Sequence, residues 1–305
     1  MTSPVIEVQG FRMAFGDKIV IDDLSFDVRP GETFGLLGSN GSGKTTTIRA
    51  LLGIYTPTAG DLRVEGRRFD PAINSALGYL PEERGLYKKE KVIDVMTYFG
   101  QLKGMTRVDA ALWSVYFLER VGLADKAKVR LDRLSGGQQQ KVQLGVTIMN
   151  RPAILILDEP TKGFDPVNRR LLLDLVEDQR RAGATVVLVT HQMEEVERLC
   201  DRVLLLKNGR AEAYGTVAEV QDAYGVERVR LRFSGTLPDS DAWRPAITER
   251  NYAELELSEG TDPQAVLRAL LDAGVEVRSF DATRTSMEEV FLRVYGHAHT
   301  EEESA

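Results

Sequence analysis

The segment Gly38-Ser39-Asn40-Gly41-Ser42-Gly43-Lys44-Thr45, followed by Thr46, separates a short apolar run from a stretch with helical spacing. Residues 34–37 predict a strand and residues 45–52 predict a helix. The glycines allow backbone N–H groups to converge at the positive end of that helix, an arrangement that binds phosphate. Lys44 would add a positive charge, and the Thr45 hydroxyl is a candidate Mg²⁺ ligand. The flanking strand and helix favour a phosphate-binding loop (P-loop) over a glycine-rich turn with a solvated lysine.

Two carboxylates follow the apolar run at residues 154–157, which has the length of a buried strand. Asp158 and Glu159 would therefore lie at the carboxyl end of that strand, where open α/β sheets bind ligands. Asp158 is the candidate ligand for Mg²⁺. Glu159 is the candidate catalytic base, which orients and deprotonates the water that attacks a γ-phosphate. An acidic strand end is common by itself, and its pairing with the P-loop is what indicates a Mg-nucleotide site.

A second glycine-rich segment, Leu134-Ser135-Gly136-Gly137-Gln138, stands at a predicted helix start. Ser135, Gly136, Gly137 and Gln138 predict another anion-binding nest, although one nucleotide does not need two nests from one chain. The segment is similar to the LSGGQ signature of ATP-binding subunits of ABC transporters. The resemblance implies ATP and Mg²⁺ as cofactors. It also implies that two subunits, as a homodimer or with a paralogous ATPase subunit, pair head to tail. Each signature would then cover the γ-phosphate bound by the partner's P-loop.

Three further positions follow from this resemblance. Phe15 stands where the family places an aromatic that stacks on adenine. The segment Gly163-Phe164-Asp165-Pro166 resembles the loop that touches the partner subunit, with phenylalanine in place of the usual leucine. His191 matches the switch histidine that contacts the γ-phosphate. His191, Glu159 and Lys44 are therefore the candidate catalytic residues.

Glu82, in the predicted loop at residues 78–82, departs from the family pattern, in which glutamine contacts Mg²⁺ and couples the site to the membrane domain. A carboxylate can also ligate Mg²⁺, so Glu82 is a candidate metal ligand together with Thr45 and Asp158. The surrounding sequence GYLPEERGLY resembles exporter ATPases more than importers. Residues 285–291 are similar to the end of an accessory domain in bacterial drug, antibiotic or sodium exporter ATPases.

The elements along the chain predict a P-loop NTPase of the α/β class. The resemblance implies an ABC cassette at residues 1–220, with a RecA-like core and a helical subdomain at about residues 90–150. A composition shift at residues 215–225 predicts a small accessory α+β domain at residues 221–296. In its last helix, Thr285 and Glu288 have the spacing of a capping box. The polar residues 297–305 predict a disordered tail.

Composition restricts the function further. The net charge of −7 argues against a nucleic-acid partner, which normally meets a basic surface. Cys200 is the single cysteine, so no internal disulfide is expected and a reducing compartment fits. The apolar runs are too short to span a bilayer. Together with the resemblance, these features predict a cytoplasmic protein, peripheral on the inner face of the cell membrane, with a separate transmembrane permease subunit.

The leading hypothesis is the energy-coupling subunit of a bacterial ABC exporter. A DNA-repair ATPase of the same superfamily would need a long heptad insertion, which the sequence lacks. A translation factor of the superfamily usually carries two cassettes in one chain. A soluble assembly ATPase, such as one for iron–sulfur cluster delivery, remains an alternative because it too can be a single cassette. The accessory domain and Glu82 count against it.

Overall fold

The computed structural model describes residues 3–68, 77–83, 85–225, 228–258, 260–283 and 285–296. The chain forms two compact units, Met1–Gly215 and Thr216–Ala305. The boundary predicted after residue 220 falls inside helix Val217–Tyr224, which belongs to the second unit. A capping box formed by Thr216 and Glu219 begins that helix, so the second unit starts at the beginning of the composition shift rather than at residue 221. The predicted disordered tail, residues 297–305, lies outside the described residues.

The first unit combines an antiparallel and a parallel sheet with helices. Its strands are β1 (Ile6–Phe15), β2 (Lys18–Val28), β3 (Thr33–Leu37), β4 (Ala59–Val64), β5 (Leu77–Leu80), β6 (Ile154–Asp158), β7 (Thr185–Thr190), β8 (Arg202–Lys207) and β9 (Arg210–Thr216). Its helices are α1 (Lys44–Leu51), α2 (Val92–Leu102), α3 (Arg107–Arg120), α4 (Gly136–Ile148), α5 (Pro166–Arg181) and α6 (Met193–Leu199). Within the described residues, no helix has the length and apolarity needed to cross a bilayer.

The larger sheet has the strand order β5-β6-β7-β3-β8-β9, and its pairs from β5 to β8 are parallel. Every residue of β3, β6 and β7 is buried, because one face of the sheet packs against α1 and the antiparallel sheet and the other against helices such as α4 and α5. The predicted alternation of strands and helices is confirmed. The register places Leu37 beside Thr190 and Asp158 beside Val189. The segments that follow β3, β6 and β7 therefore emerge together at one edge.

Strand β5 corrects the prediction of a loop at residues 78–82, since residues 77–80 pair with β6. The sequence pattern that would predict this strand is weak, because the strand is short and contains Gly78. A Cβ at that position would lie 2.8 Å from Leu155 Cδ2 and 2.9 Å from the Thr147 carbonyl oxygen. Glycine is thus required by close packing, although in a sequence it reads as a turn residue.

The second unit contains the strands β10 (Arg228–Ser234), β11 (Trp243–Glu249), β12 (Tyr252–Leu257) and β13 (Glu276–Thr283), and the helices α7 (Val217–Tyr224), α8 (Pro263–Asp272) and α9 (Met287–Tyr295). Its antiparallel sheet has the order β11-β12-β10-β13. On β10 the buried Val229, Leu231 and Phe233 alternate with arginines, as the sequence predicts. Strand β11 lacks such a pattern, because only Trp243 is buried and Pro245 interrupts it at the sheet edge.

The cap of α9 is a second correction. The structure places Ser286 at the N-cap, where its Oγ accepts a hydrogen bond from the Glu289 backbone N–H at 3.2 Å. The Glu289 carboxylate in turn accepts from the Ser286 N–H. The sequence offers the same spacing one residue earlier, at Thr285 and Glu288, but Thr285 is buried before the helix begins. Spacing alone could not distinguish the two frames.

A buried ion cluster lies at the edge of the parallel sheet opposite the P-loop. Arg202, at the start of β8, donates from Nη1 to Asp27 Oδ2 at 3.1 Å and to Glu32 Oε1 at 3.2 Å. The side chains of Arg202 and Glu32 are only 8% and 9% exposed. Burial raises the pKa of Glu32, although the Arg29 backbone N–H and the Arg202 charge oppose that shift. Without Arg202, Glu32 would be a buried carboxylate without the cation that contacts it.

We expect Arg202→Met to lower the free energy of unfolding by about 3–5 kcal/mol, because removing one partner leaves the other charge buried. Chemical denaturation followed by circular dichroism measures this loss. The double variant Arg202→Met/Glu32→Gln removes the orphaned charge as well and should recover a large part of it. Equal losses in the single and double variants would show that packing of the arginine side chain, rather than the charge, stabilises this edge.

Candidate nucleotide site

A cleft of about 850 Å³ opens at the carboxyl edge of the parallel sheet, a size typical of ligand sites. The predicted site residues that line it are Asn40, Gly41, Gly43, Lys44, Thr45, Thr46, Glu82, Asp158, Glu159 and His191. They come from four separate parts of the sequence. The parallel register of β3, β6 and β7 is what brings most of them together.

The P-loop wraps around the ammonium group of Lys44. Its Nζ donates to the carbonyl oxygens of Gly38 at 2.8 Å and Ser39 at 3.0 Å. Gly43, the residue before α1, has φ 111°, and a Cβ there would lie 2.3 Å from Ile21 Cδ1. Only glycine fits such a position. The first N–H groups of α1 have no partner within the helix, so the loop offers a cation and polarised donors to an anion.

Burial also affects the charge of this lysine. It lowers the pKa of Lys44, while the charges of Glu159, Asp158 and Glu82 oppose the shift. A buried cation held by backbone carbonyls is an incomplete arrangement, because carbonyl oxygens carry no net charge to balance it. Phosphate oxygens would supply that balance, which is the chemistry expected of a P-loop lysine.

Glu159 and His191 lie on neighbouring strand ends and contact each other. His191 Nδ1 is 2.7 Å from Glu159 Oε1. Because a carboxylate only accepts hydrogen bonds, Nδ1 carries the hydrogen in this contact. The Glu159 backbone adopts φ 49°, which is uncommon for a residue with a side chain, and its N–H donates to the Val189 carbonyl oxygen at 2.8 Å. The backbone therefore holds the carboxylate at the cleft despite local strain.

The second oxygen of this carboxylate is unusual. Glu159 is 7% exposed, and its Oε2 is buried without a hydrogen-bond partner among the described residues. Buried polar atoms in native proteins nearly always have a partner. A small rotation of the carboxylate would bring this free acceptor to the cleft, where it would receive a hydrogen bond from a bound water.

Glu82 faces the cleft from the segment after β5 and forms an ion pair that the sequence did not predict. Its Oε1 lies 2.5 Å from Lys162 Nζ, and both residues line the cleft. Their side chains are 41% and 60% exposed, so the pair adds little to stability. It does join the segment at Glu82 to the loop that follows Glu159.

The donor set at the cleft fits Mg²⁺. Desolvation, together with the charges of Glu82 and Glu159, raises the pKa of Asp158 to about 6. This excess of negative charge favours a bound cation. Among the described residues no group of three or more carboxylate, histidine or cysteine side chains could hold a metal. Mg²⁺ takes only one or two protein carboxylates beside waters and phosphate oxygens, so Asp158, Glu82 and the Thr45 hydroxyl are sufficient for it.

The signature segment lies apart from this cleft. Ser135 is the N-cap of α4, and Gln138 completes a capping box with it. Ser135 is exposed, and the cleft-lining residues within the described ranges include neither it nor Gly136, Gly137 and Gln138. A Cβ at Gly137 would lie 3.0 Å from the Phe164 ring. The structure thus packs the signature against the loop after Glu159, and leaves its helix start open to solvent.

The other predicted residues are not among the described residues that line the cleft. Gly38 and Ser39 hold Lys44, and Ser42 is buried within the loop. Phe15 is 47% exposed and packs edge-to-face on Tyr55, with ring centroids 5.3 Å apart. Several residues that line the cleft were not predicted: Lys18, Ile19, Val20, Lys162 and Asn208. The exposed β-branched Ile19 near Phe15 is the one signal that could have indicated part of this wall.

Two family models match the chain. One is described as ABC transporter and matches residues 21–162. The other is described as ATP-binding protein DrrA1-3-like, C-terminal domain, and matches residues 215–295. The first match contains the P-loop, the signature, Asp158 and Glu159, and the second covers the second compact unit.

Similar proteins extend these matches to nearly the whole chain. An uncharacterized ABC transporter ATP-binding protein of Methanocaldococcus jannaschii is 46% identical over 217 residues, which are 71% of this chain and 79% of that protein. The linearmycin resistance ATP-binding protein LnrL of Bacillus subtilis is 31% identical over 309 residues, 96% of this chain and 98% of that protein. The Nod factor export ATP-binding protein I of Ralstonia nicotianae is 34% identical over 306 residues, 97% and 95% of the two chains.

A solved structure leads to the same family. CbiO1 from Clostridium perfringens, described as part of the ABC transporter complex cbiONQ, superposes with a TM-score of 0.63 and 25% identity, covering 71% of this chain and 90% of that one. The predicted P-loop NTPase fold of the ABC type is confirmed. Sequence, fold and site geometry lead to one conclusion: this chain belongs to the ATP-binding proteins of the ABC transporter family, resembles its drug- and antibiotic-exporter group, and hydrolyses ATP.

Proposed function

We propose that this chain is the energy-coupling subunit of a bacterial ABC exporter, and that it works as a head-to-tail dimer with a separate transmembrane permease. The observation that carries this proposal is the division of its site into two halves. Lys44, Asp158 and Glu159 share one cleft, whereas Ser135 lies outside it. Pairing two chains, identical or paralogous, would bring each signature over the partner's bound γ-phosphate.

The cleft supports a division of roles in hydrolysis. Glu159 Oε2 would accept a hydrogen bond, and then the proton, from the attacking water. His191 donates to Oε1 and so orients the carboxylate. Its side chain lines the cleft, where it would contact the γ-phosphate. Lys44 would exchange its carbonyl partners for phosphate oxygens. Mg²⁺, held by Thr45, Asp158 and Glu82, would neutralise charge on the phosphates.

An exposed aromatic patch on the helical region offers a place for the permease. Tyr87 and Tyr98 are 56% and 45% exposed, and their rings lie within 6 Å of each other and of Phe99. Glu82 lies in the segment just before this patch. A permease helix bound there would touch the segment that faces the nucleotide cleft. Such docking would place the chain in the cytoplasm, at the inner face of the membrane.

The names of similar proteins support export over the alternative of a soluble assembly ATPase. The Ralstonia relative is named for Nod factor export and the Bacillus relative for linearmycin resistance. The C-terminal unit matches a domain named for DrrA-like proteins. The cargo of this chain would be selected by its permease.

Co-purification tests the proposal. The chain, extracted with its natural membranes in mild detergent, should bring down a polytopic membrane protein, identified by mass spectrometry. Tyr98→Asp should reduce the recovery of that protein. Tyr116→Asp, a similarly exposed tyrosine on α3, serves as the matched control and should not. A purely soluble complex would contradict the exporter proposal and favour an assembly ATPase.

A further inference from the structure

A fully buried carboxylate lies directly behind the catalytic edge. Glu195, in the first turn of α6, is 0% exposed. It does not line the nucleotide cleft within the described residues, so it cannot touch ATP or water there. Its neighbours are two buried threonines, Thr161 in the loop after Glu159 and Thr190 at the end of β7, which are 1% and 0% exposed.

Each oxygen of Glu195 accepts a hydrogen bond from one of these threonines. Thr161 Oγ1 donates to Oε1, and Thr190 Oγ1 donates to Oε2 at 3.2 Å. Thr161 stands two residues after Glu159, and Thr190 stands directly before His191. The carboxylate therefore joins the two loops that carry the proposed base and the histidine that contacts it.

Gln192 completes the network and determines the direction of its hydrogen bonds. Its backbone N–H donates to Thr190 Oγ1 at 3.1 Å, and its Nε2 donates to Thr161 Oγ1 at 3.4 Å. Each threonine hydroxyl thus accepts from Gln192 and donates to Glu195. A hydroxyl has a single hydrogen to give, so each threonine needs an acceptor at its own position, and the two oxygens of Glu195 supply one each.

Burying a carboxylate here has a cost, because desolvation disfavours its charged form. Desolvation raises the pKa of Glu195, while the two threonine hydroxyls oppose that effect. An apolar residue would avoid that cost only if both threonines were replaced as well, since their buried hydroxyls would otherwise lose their acceptors. A costly polar group that joins two loops of an active site indicates a positional role.

We infer that Glu195 is a positioning residue for ATP hydrolysis, which sets the distance between Glu159 and His191 by joining Thr161 to Thr190. This inference rests on the proposed roles of Glu159 and His191. It predicts that the network affects the chemical step much more than nucleotide binding, because Lys44 and the P-loop do not belong to it.

Steady-state ATPase kinetics and direct nucleotide binding test the inference. Glu195→Gln keeps the shape but leaves one threonine hydroxyl without its acceptor. We expect kcat to fall about ten- to hundredfold, in line with the cost of a displacement of about 1 Å, with KM and ATP affinity within about twofold. Thr161→Val should give a similar loss, and Thr161→Ser, which restores the hydroxyl, should recover kcat.

Arg202→Met is the matched control for stability, since it disrupts a buried ionic network at the opposite edge of the same sheet. Its kcat per folded molecule should stay near that of the parent chain. A normal kcat in Glu195→Gln would overturn the inference, as would a loss that merely follows the drop in thermal stability across both variants. Normal hydrolysis by Glu159→Gln would instead overturn the proposed role of Glu159, so the two failures are distinguishable.

Discussion

The Glu159→Gln variant should bind ATP normally and hydrolyse it roughly 10²-fold or more slowly than the parent chain. Glutamine can still accept the hydrogen bond from His191 at Oε1, so the local geometry should persist. It replaces the unpartnered Oε2 with an NH₂ group that cannot accept a proton. ATP should therefore remain bound and hold two chains together. Single-turnover hydrolysis, ATP titration and light scattering measure the three effects.

A matched control separates chemistry from backbone strain at this position. Glu65 also has a positive φ, 50° against 49° for Glu159, but it is exposed and lies after β4, away from the cleft. Glu65→Gln should leave hydrolysis, binding and the monomer–dimer equilibrium unchanged. If Glu159→Gln turned over ATP at the normal rate, Glu159 would not be the base, and another route for the water proton would be needed.

The P-loop and the strand before Asp158 could be predicted because their signals are local. A glycine pattern between a strand and a helix, and an apolar run that ends in two carboxylates, need no knowledge of distant residues. Strand β5 was missed because Gly78 locally favours a turn, whereas the glycine is required there by tertiary packing. The order β5-β6-β7-β3 in space could not be derived from chain order alone.

The contacts between site residues required the structure. Glu159 and His191 are far apart in the chain and meet only because β6 pairs with β7 in one register. The pair formed by Glu82 and Lys162 likewise depends on the position of β5 beside β6. Glu195 gave no signal at all, because a glutamate in the first turn of a helix normally faces solvent. Which of these residues come into contact is determined by how the strands pair in the sheet, and residue types alone do not reveal it.

The Ser135→Arg variant tests whether the site is divided between two chains. Ser135 is exposed at the start of α4 and does not line the cleft that holds Lys44 among the described residues. We expect ATP binding by a single chain to stay nearly unchanged. Hydrolysis should be abolished, because the bulky guanidinium would occupy the space that the partner's γ-phosphate needs in the paired state.

Ser135→Arg also removes a helix cap, which lowers the free energy of unfolding by about 1 kcal/mol. Its control must therefore be a substitution that removes a helix cap elsewhere. Thr106 caps α3 through the Asp109 backbone N–H and is equally exposed. Thr106→Arg should lose comparable stability and keep its ATPase activity.

Dimerisation gives a second test. When Ser135→Arg is combined with Glu159→Gln, it should prevent the ATP-dependent increase in molecular mass, whereas Thr106→Arg combined with Glu159→Gln should not. Loss of ATP binding by the Ser135→Arg monomer would mean that the signature serves its own P-loop, and the head-to-tail arrangement would have to be abandoned.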